Sequence, residues 1–394
     1  MSSSNIEEVR RFNARRCRTG IEKTRRIHTF FRTWAVLCWN FYRVISPMPP
    51  IQRFSATNML YLNFNFSIMK AVFVGPRFGN FAVRIEETGI ADPGREDVLV
   101  KVVAAGLNPL DYNLINGNIV YNLKPVPHIP GSEVIGIVER DSRSFKKGQR
   151  VMVYNRVFDG TCEMCRTHRE HLCTNGGIWG VVTNGGYSEY VTVPEKNAIV
   201  IPDSIDNDTA VSIPIGALTA YRALKRAGAS AGKKLLVYGA SGNTGIFAIQ
   251  FARIMGLDVY GVSRKEWVRE YGCTEVFGDG KIPDQFRADI VMNSLGSLFW
   301  DDAVKHIQTG GTLVSFGVLT GREAKLDIAS LYTREVSIIG STGGDLKDLT
   351  ETLEIMKTHR VRVPVAKRFN FNDIGAALEE YSRIRDGRII IDFA

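Results

Sequence analysis

Long apolar runs are missing from this chain. Nowhere does it offer the ~18 predominantly apolar residues that a membrane-spanning helix needs, and the aromatic patch from Thr33 to Tyr42 is too short. A soluble, cytoplasmic protein with no membrane partner is therefore expected. Cysteine is also scarce, with six in 394 residues, three of them crowded between positions 162 and 173. So few thiols in so long a chain do not make a disulfide framework, and their crowding points to a metal in a reducing compartment. Internal repeats, low-complexity tracts and nucleic-acid motifs are lacking as well.

Acidic residues are short in one region only. Residues 1–68 hold eleven Lys or Arg against three Glu, a net +8, which leaves +1 of the formal +9 for everything after Ile68. The basic excess therefore does not call for a nucleic-acid partner. This leader carries Arg10, Arg11, Arg15, Arg16, Arg18, Arg25 and Arg26 and suits a transit peptide in composition. The preferred alternative is a start placed too far upstream, because Met69-Lys70-Ala71-Val72 makes a natural opening for a first strand. Disorder is expected for 1–68 under either account. The remaining length is enough for two domains with a core each.

What is present is clearest at 233–265, KKLLVYGASGNTGIFAIQFARIMGLDVYGVSRK. Leu235–Tyr238 is a short apolar run suited to a buried parallel strand, and an apolar helical run follows from Ile246 to Met255. Between them Gly239 permits a tight turn, Gly242 a close approach of backbone to a pyrophosphate, and Gly245 the packing of helix on strand. Ser241, Asn243 and Thr244 complete the turn, the last two as candidate helix caps, and the amides at the helix start would face the phosphates. Further strands at 290–292, 312–316 and 338–340 alternate with helical stretches, as a doubly wound α/β Rossmann sheet requires. Leu346–Thr358 reads as a helix and Val361–Val365 as a strand.

One carboxylate is missing from this unit. The strand Asp258–Val262 ends where an NAD site would place an acid on the ribose, and the chain supplies Ser263, Arg264 and Lys265 instead. That favours NADPH, since a charge-assisted bond of about 1.5–3 kcal/mol to the 2′-phosphate shifts preference by roughly one to two orders of magnitude. A solvated basic turn is the other reading.

The segment 159–173, DGTCEMCRTHREHLC, places Asp159, Cys162, Cys165 and Cys173 at D-x2-C-x2-C-x7-C spacing, a plausible tetrahedral zinc set. Glu163, His168 and His171 are alternatives for the fourth ligand. A Cys162–Cys165 redox pair or a vestigial loop are other readings, and Cys273, standing apart, is expected in a core.

With MKAVFV at 69–74, AAGLNPLDYNLINGN at 104–118, PGSEVIGIV at 130–138, GGYSEYVTVP at 185–194, GALTAYRAL at 216–224 and GRIII at 387–391, these features resemble the medium-chain dehydrogenase/reductase superfamily across 69–394. The resemblance implies a GroES-like β-rich catalytic domain, discontinuous over 69–215 and 342–394, and a Rossmann dinucleotide-binding domain over 216–341, with the active site in the cleft between them. It implies one structural Zn2+ in the cysteine loop, Asp159 standing where zinc alcohol dehydrogenases have a cysteine. It also implies three positions for ligands to a catalytic metal, and here these are Asn108, Ser132 and, by its spacing from Thr219, Ile215. An amide, a hydroxyl and an alkyl group cannot replace the Cys and His coordination that lowers the pKa of a bound water or alcohol. Leu110 occupies the position of the proton-relay hydroxyl.

The string Asn108-Pro109-Leu110-Asp111-Tyr112 instead resembles the zinc-free quinone and enoyl reductases, which pass hydride from NADPH to an activated C=C or quinone. Asn108 and Tyr112 are then candidate hydrogen-bond donors, Asp111 orients the loop, and Glu133 is a supporting or cofactor-bonding carboxylate. The structural alternatives are a turn residue, a packing aromatic, a helix cap and a strand-end charge. The same resemblance brings Thr219, Leu295, Phe316 and Val318 to the cofactor, and Arg388 to its pyrophosphate or to the surface. It also implies a small-molecule substrate and a homodimer or homotetramer.

Overall fold

The computed structural model describes residues 67–75, 83–117, 127–278, 281–384 and 386–393. The expected leader falls outside the described residues up to position 66, and Ile68 already belongs to the first strand. Strands β1 (Ile68–Val74) and β2 (Val83–Gly89) form an antiparallel pair, with Ala71, Val72 and Val74 turned inward. The long strand β3 (Asp97–Gly106) follows and leads into a short helix, α1 (Pro109–Ile115). Then come β4 (Val134–Val138), β5 (Arg150–Val153), the small pair β6 (Arg156–Val157) and β7 (Gly177–Ile178), β8 (Tyr190–Pro194) and β9 (Ala198–Val200). Val98, Val100, Val102, Val134, Val151 and Val153 fill the core beneath β3, β4 and β5, as β-branched side chains on a pleated surface should.

Helix α2 (Leu218–Arg226) opens the nucleotide-binding part, followed by β10 (Lys234–Tyr238), helix α3 (Asn243–Ile254), β11 (Asp258–Val262), β12 (Glu275–Phe277), β13 (Ala288–Asn293), helix α4 (Trp300–Lys305), β14 (Ile307–Ser315) and β15 (Ser337–Gly340). All pairings are parallel, and the order is β12-β11-β10-β13-β14-β15, the doubly wound arrangement that brings the carboxyl ends of the strands to one edge. Leu235, Leu236, Val237 and Tyr238 are all buried, which explains why β10 reads as a continuous apolar run rather than an alternating one.

Gly239 adopts φ +76°, open to glycine at little cost, and turns the chain from β10 into α3. At Gly245 a Cβ would collide with the carbonyl oxygens of Gly239 and Ala240, so the helix seats on the turn only without a side chain there. The cap differs from expectation. Gly242 is the N-cap and makes no side-chain bond, and Asn243 and Thr244 lie inside the first turn of α3.

Helix α5 (Leu346–Thr358) leads back to β16 (Val365–Asn370), helix α6 (Ile374–Tyr381) and β17 (Arg388–Asp392), which complete the first sheet in the order β16-β17-β3-β4-β5-β9, with β8 also paired to β3. The strand expected at 361–365 starts only at Val365. Val361 is buried in the core and the Arg362 backbone N–H donates to Gln250 Oε1 (3.1 Å) in α3, so this stretch packs under a helix instead of pairing, and Pro364 has no N–H to offer a ladder. Cys273 is in the core, as expected.

Gly245→Ala is expected to cost about 1–3 kcal/mol through overpacking. Urea unfolding with the folded baseline checked by circular dichroism measures it, and an unchanged midpoint would contradict the packing role.

Candidate active site and metal loop

Glu133 stands just before β4 with no exposure to solvent, and Arg388, first residue of β17, is 5 % exposed. Arg388 Nη2 donates to Glu133 Oε2 (2.5 Å) and its Nη1 to Asn108 Oδ1 (2.8 Å). Asn108 in turn donates from Nδ2 to Glu133 Oε2 (2.9 Å), with a longer contact to the Gly106 carbonyl (3.4 Å). The other carboxylate oxygen accepts the backbone N–H of Ile215 (3.0 Å). Breaking such a buried pair by removing one partner typically costs about 3–5 kcal/mol, because the survivor is left charged and unpaired. Asn108, Glu133, Arg388 and Ile215 come from four separate stretches of chain, and the last was expected only as a lost ligand.

Beneath this group Asp111, at the third position of α1, accepts from the backbone N–H of Asn108 (3.1 Å), the backbone N–H of Ser132 (2.9 Å) and the Ser132 hydroxyl (2.8 Å). Asp111 thus ties the two loops that carry Asn108 and Glu133. Burial drives its carboxyl up from 3.8 to about 6, and the bonds from Ser132 and Asn108 offset only part of that. Tyr187 is buried beside it and donates to the Gly106 carbonyl (3.2 Å). Tyr112, on α1, is half-buried and stacks on Tyr381 with centroids 4.7 Å apart.

Arg388 was expected at the pyrophosphate or at the surface. Its two terminal nitrogens are engaged on Glu133 and Asn108, and it is buried. The other cofactor candidates gather where the doubly wound sheet ends: Gly239, Ser241, Gly242, Asn243, Thr244 and Gly245 after β10, Ser263–Lys265 after β11, Leu295 after β13, and Phe316 and Val318 after β14. Ser263 Oγ accepts the Lys265 backbone N–H (3.0 Å), and Lys265 Nζ pairs with Asp386 (2.5 Å) just before β17. Thr219 is the second residue of α2, apart from these strand ends in the chain. Gly216 faces Asn243 so closely that a Cβ would strike the amide, whose oxygen and nitrogen are buried without a hydrogen-bond partner.

The cysteine loop is a second site. The ligand atoms of Asp159, Cys162, Cys165 and Cys173 lie within 4.8 Å of one another, and this is the one such His/Cys/Asp/Glu group among the described residues. Glu163, His168 and His171 are not part of it. Asn175 and the backbone N–H groups of Cys162 and Thr161 hold the Asp159 carboxyl well below the carboxylate range. The backbone N–H of Cys165 draws the Cys162 thiol down to about 6. An ionised carboxylate beside three thiols, two of whose sulfurs (Cys162 and Cys165) are 3.5 Å apart, is donor chemistry that fits zinc. The catalytic-metal positions do not fit: the Asn108 amide and the Ser132 hydroxyl are turned onto Glu133 and Asp111, and Ile215 is an alkyl group.

Two interleaved lobes, one with a doubly wound parallel sheet and a glycine turn, the other with a cysteine loop and a buried polar cluster, define a dinucleotide-dependent oxidoreductase. Residues 94–203 match the alcohol dehydrogenase GroES-like domain and 244–358 the zinc-binding dehydrogenase domain. An alcohol dehydrogenase of Geobacillus stearothermophilus is 30% identical over 312 residues, 71% of this chain and 87% of that protein. An acryloyl-coenzyme A reductase of Sulfurisphaera tokodaii is 26% identical over 341 residues, covering 82% and 99%. The solved structure of a thermostable alcohol dehydrogenase from Pyrobaculum aerophilum superposes with a TM-score of 0.76 at 36% identity, covering 82% of this chain and 99% of that one. The chain belongs to the medium-chain dehydrogenase/reductase superfamily and is an NAD(P)H-dependent enzyme.

Asp111 keeps a proton in the folded chain that the unfolded chain gives up between about pH 4 and pH 6. Its contribution to stability is therefore present below about pH 4 and lost as pH rises through 6. Chemical denaturation of the wild type against Asp111→Asn is expected to show the wild type losing stability relative to the variant across that window. Parallel pH profiles would contradict it.

Proposed function

We propose that this enzyme reduces an activated C=C bond or a quinone with NADPH, using no catalytic metal and keeping one structural zinc at Asp159, Cys162, Cys165 and Cys173. The observation that carries this reading is the closed network of Asn108, Glu133 and Arg388, in which the residue standing at one ligand position of the metal-dependent enzymes is an amide held by an ion pair. When bound, NADPH supplies hydride. The conjugated oxygen that gains charge then needs donors rather than a Lewis acid. Tyr112, and the second amide hydrogen of Asn108 that now makes only the 3.4 Å contact, are the donors in this account. Glu133, Arg388 and Asp111 fix the amide's orientation, so they act by positioning. The name of the Sulfurisphaera relative supports an enoyl thioester among the substrates.

Ser263, Arg264 and Lys265 support NADPH over NADH, because no carboxylate stands at the end of β11 to bond a free ribose hydroxyl. Among the described residues no helix is long and apolar enough to cross a membrane. Leu298, Val318, Leu319, Leu326, Ile328 and Tyr332 are exposed apolar side chains in the chain leading to β15, which is the last strand of its sheet among the described residues, and this supports a symmetric homodimer or homotetramer. The partner is then a second copy of this chain and the ligand a small molecule, with no nucleic acid or membrane involved.

The relatives named alcohol dehydrogenases favour a second reading, oxidation of an alcohol with NADP. A panel of enoyl thioesters, enones and quinones with NADPH, run beside primary and secondary alcohols with NADP, separates the two. Turnover on the first set and none on the second is expected, and the reverse would overturn the proposal. Arg264→Ala is expected to raise the KM for NADPH about 10-fold or more while leaving that for NADH unchanged, in line with the loss of one charge-assisted bond.

A further inference from the structure

The cysteine loop reaches the chain's crossing point between the two sheets. The loop hangs from the stem formed by β6 and β7, and between Cys165 and Cys173 it carries a single turn, Glu170 to Leu172. Glu170 is 7 % exposed, and its Oε1 accepts the backbone N–H of Leu346 (2.5 Å), the first residue of α5. At the base of the stem the Tyr154 hydroxyl donates to the Gly344 carbonyl (2.8 Å) and Arg156 Nη2 to Thr342 Oγ1 (3.2 Å). Gly343 runs so close under Arg156 that a Cβ would collide with the guanidinium.

Every one of these partners lies between 342 and 346, the run that leaves the carboxyl end of β15 and enters α5. Ser341, just before it, is held to the sheet by its backbone N–H on the Ser315 carbonyl (3.0 Å), and its hydroxyl is buried without a hydrogen-bond partner. The carboxyl ends of β14 and β15 form part of the edge at which a doubly wound sheet holds its dinucleotide. The opposite side of the α5 N-terminus is fixed by Arg222, which pairs with Asp345 (2.9 Å) and Asp348 (2.6 Å), and by Lys225 on Asp348 (3.0 Å). Those bonds hold the helix to α2. Glu170, Tyr154 and Arg156 hold the run ahead of it to the cysteine loop and its stem.

We propose that Glu170 is a positioning residue for cofactor binding: the cysteine loop, through Glu170 and its stem, holds the 341–346 crossing in the conformation that completes the dinucleotide edge. Ordering the loop on its metal thereby sets the affinity for the dinucleotide, and not only the stability of the loop. The cofactor readout rests on the oxidoreductase reading, whereas amide exchange at the crossing does not.

The test uses the full zinc-loaded protein, with Glu170→Ala, Glu170→Gln and Tyr154→Phe. Hydrogen exchange across 341–350, dissociation constants for NADPH and zinc content are measured for each. Glu170→Ala is expected to keep its zinc, to raise exchange at the start of α5 at least 10-fold, and to weaken NADPH several-fold. Glu170→Gln, whose side-chain oxygen still accepts, should stay near wild type, and Tyr154→Phe should fall between. Wild-type exchange and affinity in both Glu170→Ala and Tyr154→Phe would overturn the proposal. Stripping zinc from the wild type with a chelator provides an arm that does not depend on a variant folding: faster exchange at 341–350 is expected, and exchange confined to 158–176 would overturn the coupling. A preparation that binds no zinc at all refutes the metal reading, while the Glu170 comparison still decides the role of the carboxylate.

Discussion

A carboxylate with no access to water needs a cation and enough donors to replace its hydration, and Glu133 finds both only when three other parts of the chain arrive. Arg388 comes from β17, Asn108 from the end of β3, and the Ile215 N–H from the turn that leads into α2. These bonds require the last strand to lie against β3 and the start of the nucleotide-binding part to sit over β4. The ion pair is thus a condition on the whole arrangement. Replacing metal ligands one at a time would leave unpaired polar groups in a dry site. Here Asn108 and the Ile215 N–H find Glu133, and the Ser132 hydroxyl finds Asp111.

The two sites divide the work between them. The cysteine loop offers an ionised carboxylate and three sulfurs in a tight group, suited to a closed structural ion. The buried cluster is a set of polar groups that hold one another, with the Arg388 guanidinium spent on Glu133 and the Asn108 amide oxygen. Asp111 joins the loops that bear Asn108 and Ser132, so the orientation of the amide depends on a carboxyl whose own ionisation is opposed by burial.

Elements governed by local pattern were legible in the sequence. Strand β11 spans Asp258–Val262 and helix α5 spans Leu346–Thr358, as their apolar spacing implies, and the cysteine spacing brought out the residues that cluster. What was not legible depends on contacts far apart in the chain. The strand expected at 361–365 failed because Gln250, over a hundred residues earlier, takes the Arg362 N–H. The caps assigned to Asn243 and Thr244 failed because Gly242, without a side chain, already occupies that position. That a guanidinium holds the Asn108 amide oxygen could not be read either, since 280 residues separate the two. Glu170 passed unnoticed among the charges of the cysteine loop, since nothing in its neighbourhood announces that Leu346 is its partner.

On the proposed function, hydride transfer proceeds beside the Glu133–Arg388 ion pair rather than a metal. Anomalous scattering at the zinc edge, collected from crystals of the active enzyme grown with NADPH and added zinc, tests it most directly. One peak is expected, at Asp159, Cys162, Cys165 and Cys173, with Arg388 still on Glu133. A second peak among Asn108, Ser132 and Glu133 would contradict it and return the enzyme to metal-assisted chemistry.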